Sequence, residues 1–333
     1  MNPQVSATLA RQHGLILRRQ ALAAGMPPLQ IALLLRQGEW ISVWRGVYTL
    51  RSIWESLDPY REQPLLRVRA ASMNMVTPHV ISHDSAALVH GIWLLGPPRW
   101  IHVTRFGVLG SRTKCGVKHH VAPFTPDQVV FVDGLPTLDV PRTAIDLCRE
   151  HGLRGGLPAC DSALRLVLDR SLLWEAVDPM RSWPHVVTAR SCVELADPGA
   201  ENLAESLTRL LAVELGLGPV ETQFGLRDAG REAWCDLRIG RHIIEFDGRT
   251  KYRSVAAGGV ATIPEAEVLW REKKRQDWVC GFKLGMSRVT WTDLQPDSWE
   301  RTKRRVRREC LDTNARFGTS IADLAPYIIR KFG

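Results

Sequence analysis

Apolar residues recur at helix and strand spacings in an order that divides the chain. Residues 5–12 and 17–24 form two short amphipathic stretches separated by His13-Gly14, and Met26-Pro27-Pro28 opens a third. Proline is at home in a first helical turn, so a helix runs from there through Leu33-Leu34-Leu35 and stops at Gly38. Residues 40–48, Trp-Ile-Ser-Val-Trp-Arg-Gly-Val-Tyr, suit a small hairpin. Three helices and a hairpin predict a winged helix over residues 1–55. Residues 60–190 alternate helix and strand: Val80-Ile81 is strand-like, Ser82 or Asp84 caps a helix that Gly91 ends, residues 100–105 and 137–140 read as strands, and Pro141 opens another helix. Three prolines within 176–198 mark a connector. A last region, 198–315, begins with a helix over 200–215 whose stripe is Leu203, Leu207, Leu210, Leu211 and Leu215. Strands at 221–225, 234–239 and 243–247 come next, then a charged helix at 265–280 and a strand at 288–291.

The chemistry concentrates where the third of those strands ends. Ile243-Ile244 leads into Glu245-Phe246-Asp247, and Gly248 breaks the run. Side chains two apart on a strand share a face, which sets Glu245 and Asp247 roughly 6–7 Å apart at the backbone. Asp236 lies nine residues before Glu245, with a Gly240-Arg241 turn between, so antiparallel pairing brings a third acid beside them. Crowded carboxylates resist ionising together unless a cation sits among them, and a hard divalent ion, Mg²⁺ first with Mn²⁺ as substitute, meets that demand. The structural alternative is solvated acids paired with Arg241, Arg249 or Lys251. A neutralising arginine in the gap would favour a non-cutting nucleic-acid binder over a catalyst.

An acid followed by acid-x-lysine is the pattern of PD-(D/E)xK nucleases. Here Asp247 stands where the lysine is expected, and a lysine arrives only at Lys251. That variant resembles the C-terminal nuclease-like domain, related to very-short-patch repair endonucleases, of many actinobacterial proteins. The likeness covers about residues 198–310 and rests on Ala204–Arg209, Gly216–Pro219, Gln223, Asp236, the block 245–252, the block 271–277 and Arg288–Trp291. It implies a restriction-endonuclease-like mixed sheet with flanking helices, with Asp236, Glu245 and Asp247 holding the metal and Lys251 orienting water or phosphate. Glu205 matches the family's helix acid, but on a helical wheel it falls nearly opposite the leucines, a position that suits a solvated residue at least as well unless the helix bridges two surfaces. Further upstream, Gly38-Glu39-Trp40 and Trp44–Tyr48 resemble the N-terminal module of AbiEi-type antitoxin and regulator proteins, and the blocks over 75–175 resemble their second domain. The fold class expected is therefore α/β multidomain: winged helix, α/β middle and nuclease-like sheet.

Composition narrows the partners. The 333 residues carry a net charge of +9 at pH 7, with a pI of about 9.5, which favours a polyanion such as DNA. Arg45 on the hairpin, Lys273 and Arg275 on the charged helix, and Lys303, Arg304 and Arg305 within Arg301–Arg308 are the candidate phosphate contacts. The third helix offers Gln30, Arg36 and Gln37 as polar readers among leucines. No apolar run approaches a membrane span, no signal peptide is visible, and seven scattered cysteines fit a reducing cytoplasm. His83, His90, His102, His119 and His120 show no metal-ligand spacing and read as ordinary histidines. These readings support two functions and leave a third open. One is a Mg²⁺-dependent DNA endonuclease of a defence or repair type. The other is a DNA-binding regulator or antitoxin, with a toxin partner, whose nuclease-like domain does not cut. A protein-interaction scaffold is a third.

Overall fold

The computed structural model describes residues 2–106, 111–167, 169–248 and 265–330. The chain forms two compact units, Met1–Glu194 and Leu195–Gly333.

The first unit opens with α1 (Pro3–Arg11), β1 (Ile16–Leu17), α2 (Arg18–Ala23), α3 (Pro28–Gln37) and the hairpin β2 (Trp40–Trp44) and β3 (Val47–Leu50). Asn2 caps α1 by accepting the Gln4 N–H, and Gly38, at φ +72°, ends α3 in the left-handed region that glycine adopts without strain. The order β1-β3-β2 is that of a winged helix, with Val5, Leu9, Ile16, Ala21, Ile31 and Trp40 as its core. Next come α4 (Arg51–Ser56) and α5 (Glu62–Asn74). Leu66 and Ala70 of α5 share a core with Leu15, Leu17, Val43 and Val47, so the winged helix and α5 have one hydrophobic interior in common.

A six-stranded sheet comes after α5, built from β4 (Val80–Ile81), β5 (Ile101–Arg105), β6 (Arg112–Lys114), β7 (Val117–Val121), β8 (Val129–Val132) and β9 (Leu135–Leu138) in the order β6-β7-β5-β4-β9-β8. β5 runs parallel to β7, and β4 parallel to β9. The helix α6 (His83–His90) leaves the end of β4 and stops at Gly91, φ +76°. Gly116, in the β6–β7 turn, lies directly under the Trp44 ring: a Cβ there would stand 2.8 Å from it. The unit closes with α7 (Val140–Val167), kinked at Gly152, α8 (Arg170–Val177) and α9 (Val186–Leu195). Arg142 and Asp146, four apart on α7, form a helix pair: Nε donates to Oδ2 at 3.0 Å with both side chains buried.

The second unit holds α10 (Leu203–Glu214), β10 (Val220–Asp228), β11 (Arg231–Ile239), β12 (His242–Asp247), α11 (Glu265–Cys280), β13 (Gly285–Thr290), α12 (Pro296–Phe317) and β14 (Ile328–Ile329). The sheet order is β13-β12-β11-β10-β14. Neighbours are antiparallel except β12 and β13, which are parallel, so the sheet is mixed as expected. Phe224, Leu226, Cys235, Ile243, Val279 and Leu284 fill one face. His242, buried at the start of β12, faces Thr313 Oγ1 and Ser287 Oγ at 2.7 Å each.

Candidate functional site

Register brings the acids together. Leu237 pairs with Ile244 and Arg238 with Ile243, so one step further along the ladder Asp236 comes beside Glu245. Asp236 Oδ2 accepts the Phe246 N–H at 2.8 Å, which fixes its carboxylate at the end of β12. Asp236, Glu245 and Asp247 line one cleft of about 60 Å³ with Glu272, Arg275 and Arg288. Glu272 and Arg275 come from α11, three residues apart and therefore on one helical face, and Arg288 comes from β13 opposite Glu245.

Arg275 dominates the cleft. Its Nη2 lies 2.7 Å from both Glu245 oxygens and 2.8 Å from Glu272 Oε1, while Nε meets Glu272 Oε2 at 3.1 Å and Nη1 donates to the Trp234 carbonyl at 3.1 Å. Arg288 Nη2 bridges to Glu272 Oε1 at 2.7 Å, and Nη1 stands 3.7 Å from Asp247 Oδ2. Burial raises the Glu245 pKa above the usual carboxylate range, and the Arg275 charge opposes that shift. Burial works against the Arg275 charge, but the hydrogen bonds and charges of Glu272 and Glu245 outweigh it and raise its pKa. The charge neutralisation that the crowded acids demand is thus supplied by a guanidinium.

This arrangement does not fit Mg²⁺ or Mn²⁺. Octahedral Mg²⁺ needs oxygens converging at about 2.0–2.1 Å. Among the described residues no three carboxylates offer oxygens within 4.8 Å of one another, and both Glu245 oxygens face Arg275. Among the described residues, Asp247 Oδ1 is buried without a hydrogen-bond partner.

Several predicted residues sit differently from expectation. Glu205 is buried, not solvated, because α10 packs against both β12 and α12. It accepts the Glu201 N–H at 2.7 Å and Asn202 Nδ2 at 2.6 Å beside the helix N-cap, and it is not among the residues lining the cleft. Arg275 turns into the cleft rather than toward a phosphate. Lys303 pairs with Glu214 and Glu300 at 2.9 and 3.1 Å, and Arg305 donates to the Arg288 carbonyl at 3.0 Å with Glu309 at 3.4 Å. Lys273 and Arg304 are exposed, as is Arg45 in the turn between β2 and β3. Lys251 lies outside the described residues.

The winged helix presents a different surface. On α3 only Ile31 is buried; Gln30, Arg36 and Gln37 are exposed, together with Leu29 at 75% and Leu33 at 42%. The histidine reading also changes. His83, His102 and His120 converge in the first unit although no local spacing announces them; the parallel register of β5 and β7 does it.

Comparison with known proteins bears on part of the chain. Residues 4–51 match the family model of the AbiEi antitoxin transcriptional regulators. Two curated proteins of Mycobacterium tuberculosis, uncharacterized protein MT2308 (strain CDC 1551 / Oshkosh) and uncharacterized protein Rv2248 (strain ATCC 25618 / H37Rv), are each 33% identical over 104 residues, 29% of this chain. The match spans 38% of the length of each of these relatives. The crystal structure of the RV2827C protein from Mycobacterium tuberculosis is 15% identical, covers 62% of this chain and 79% of its own, and gives a TM-score of 0.37. No helix among the described residues is long and apolar enough to cross a membrane.

Proposed function

We propose that the chain is a DNA-binding transcriptional regulator of the AbiEi antitoxin type, whose C-terminal nuclease-like unit holds nucleic acid without cutting it. The observation that carries this reading is the AbiEi match over residues 4–51, which falls on a helix and hairpin with Gln30, Arg36 and Arg45 exposed. A winged helix lays its third helix in the major groove, where Gln and Arg pair with base edges, while a basic hairpin tip holds phosphate. The exposed arginines of α12, Arg301, Arg304, Arg307 and Arg308, add a phosphate-tracking surface that is blind to sequence. Arg275 in place of a cation supports a cleft that is structural. A toxin partner follows from the antitoxin reading.

The meeting of Asp236, Glu245 and Asp247 in one cleft favours a second reading, a divalent-metal-dependent DNA endonuclease, which requires Arg275 to leave Glu245. One experiment separates the two. The full chain is incubated with supercoiled, linear and single-stranded DNA in Mg²⁺, Mn²⁺ or chelator, alongside selection of bound sequences from a random pool. The regulator gives a preferred operator, unchanged by chelator, and no strand breaks. Ion-dependent breaks abolished by Asp236→Asn or Glu245→Gln would establish the endonuclease instead, and no DNA binding at physiological salt would overturn both.

A further inference from the structure

We propose that the first unit carries a transition-metal site of the Zn²⁺ class, held by the imidazoles of His83, His102 and His120. Each offers one nitrogen such that the three lie within 4.8 Å of one another, and all three residues are buried.

The fold builds this convergence from distant parts of the sequence. On the parallel pair β5 and β7, Thr104 stands opposite His120, so His102, two residues before Thr104, points to the same face. His83 enters from the first turn of α6, held at φ +48°, a left-handed conformation unusual for a residue with a Cβ. His102 Nδ1 lies 3.1 Å from His120 Nε2. Two nitrogens sharing one tetrahedral Zn²⁺ at about 2.0–2.1 Å stand about 3.3 Å apart, so this pair is already at ligand spacing. His83 stacks on His120 with ring centroids 3.6 Å apart, and its Nδ1 meets Ser82 Oγ at 3.1 Å. Nε2 is then the nitrogen His83 would give, after a rotation of the ring out of the stack.

The surroundings suit a metal rather than a bare imidazole cluster. His102 Nε2, its other nitrogen, faces Asp84 Oδ2 at 3.5 Å, and Asp84 Oδ1 meets His151 Nε2 at 2.5 Å. A carboxylate behind a ligating histidine fixes the tautomer and raises the basicity of the nitrogen facing the metal. Burial of all three side chains disfavours the charged imidazolium and suits neutral nitrogen donors. Thr104 Oγ1, on the same strand face, is buried without a hydrogen-bond partner among the described residues. A buried orphan hydroxyl points to a missing polar neighbour, and water on the fourth metal position would supply one. A cavity of about 350 Å³ bordered by Asp84, Trp100, His102, Glu150 and His151 reaches the outer side of His102. Imidazole donors select Zn²⁺ and its neighbours over Mg²⁺ or Ca²⁺.

The test uses the full, tag-free chain, stripped with chelator and titrated with Zn²⁺ and with Co²⁺ at neutral pH. The expected result is one equivalent bound, a tetrahedral Co²⁺ absorption spectrum, and a zinc-edge X-ray absorption spectrum with imidazole scattering and no sulfur. His102→Gln/His120→Gln should bind at least about 100-fold more weakly, and Asp84→Asn about 10–100-fold more weakly. Glu245→Gln/Asp247→Asn should bind like wild type. Binding below one equivalent, sulfur scattering from the buried Cys148, Cys160 and Cys192, or full affinity in a folded double histidine variant would overturn the site. If the double variant fails to fold, the wild-type absorption spectrum decides alone.

Discussion

Arg275 Nη2 sits 2.7 Å from each carboxylate oxygen of Glu245, so one guanidinium nitrogen occupies the position from which a cation would hold that acid. A single i, i+3 step on α11 adds Glu272 to the same guanidinium, and Arg288 links Glu272 toward Asp247. The acids are therefore tied to their own protein.

Removing that guanidinium should expose the repulsion it masks. Arg275→Ala is expected to destabilise the second unit by about 2–3 kcal/mol, somewhat under the cost of breaking a fully buried pair, because the Arg275 side chain keeps 27% exposure. Urea unfolding measures this. Millimolar Mg²⁺ should restore part of the loss in Arg275→Ala and leave the wild type unchanged.

Arg45 is exposed at the hairpin tip, where it can contact a phosphate but read no base. Arg45→Ala should weaken binding evenly across DNA sequences and lower the slope of log affinity against log salt by about 1. Gln30→Ala, on α3, should instead change which sequences are preferred. Fluorescence anisotropy over a salt series with two unrelated duplexes distinguishes these outcomes.

His242 imposes an acid limit on stability. Burial lowers its pKa from 6.5 to about 4, so the unfolded chain takes up this proton before the folded one does. Its contribution is complete above pH 6.5 and is lost as pH falls through that window, by at most about 3 kcal/mol. Thermal melts from pH 7.5 to pH 4 should show the decline, and His242→Gln should flatten it.

Asp146 is fully buried between Arg142 and Arg149, whose guanidiniums also lie over the Trp183 ring at 5.0 and 4.7 Å. Asp146→Ala leaves two cations facing each other without their acid. Its expected cost is about 3–5 kcal/mol in chemical denaturation, the scale for one partner removed from a buried pair.

Period and punctuation carried much of this architecture in the sequence. Gly38 and Gly91 end helices where expected, and the charged helix at 265–280 and the strands around Asp236 and Glu245 lie where alternation put them. The pairing of Asp236 with Glu245 was legible because a short turn leaves an antiparallel hairpin one register. The side chain facing the acids was not. Arg275 is 30 residues from Glu245, and its direction depends on how α11 settles on the sheet. Glu205 misled for the same reason: a wheel assigns one face to the core, whereas α10 has neighbours on two sides. The histidine trio rests on a parallel register across 18 residues, and nothing local encodes that.

Gly116 beneath Trp44, and Leu66 and Ala70 inside the core of the hairpin, bind the winged helix to its neighbours in the first unit. A fragment cut near residue 57 would lay the Trp44 indole and the flanks of Val43 and Val47 bare to water. Such a piece would self-associate and misreport affinity, so binding studies of the winged helix need a chain that keeps α5 and the β6–β7 turn.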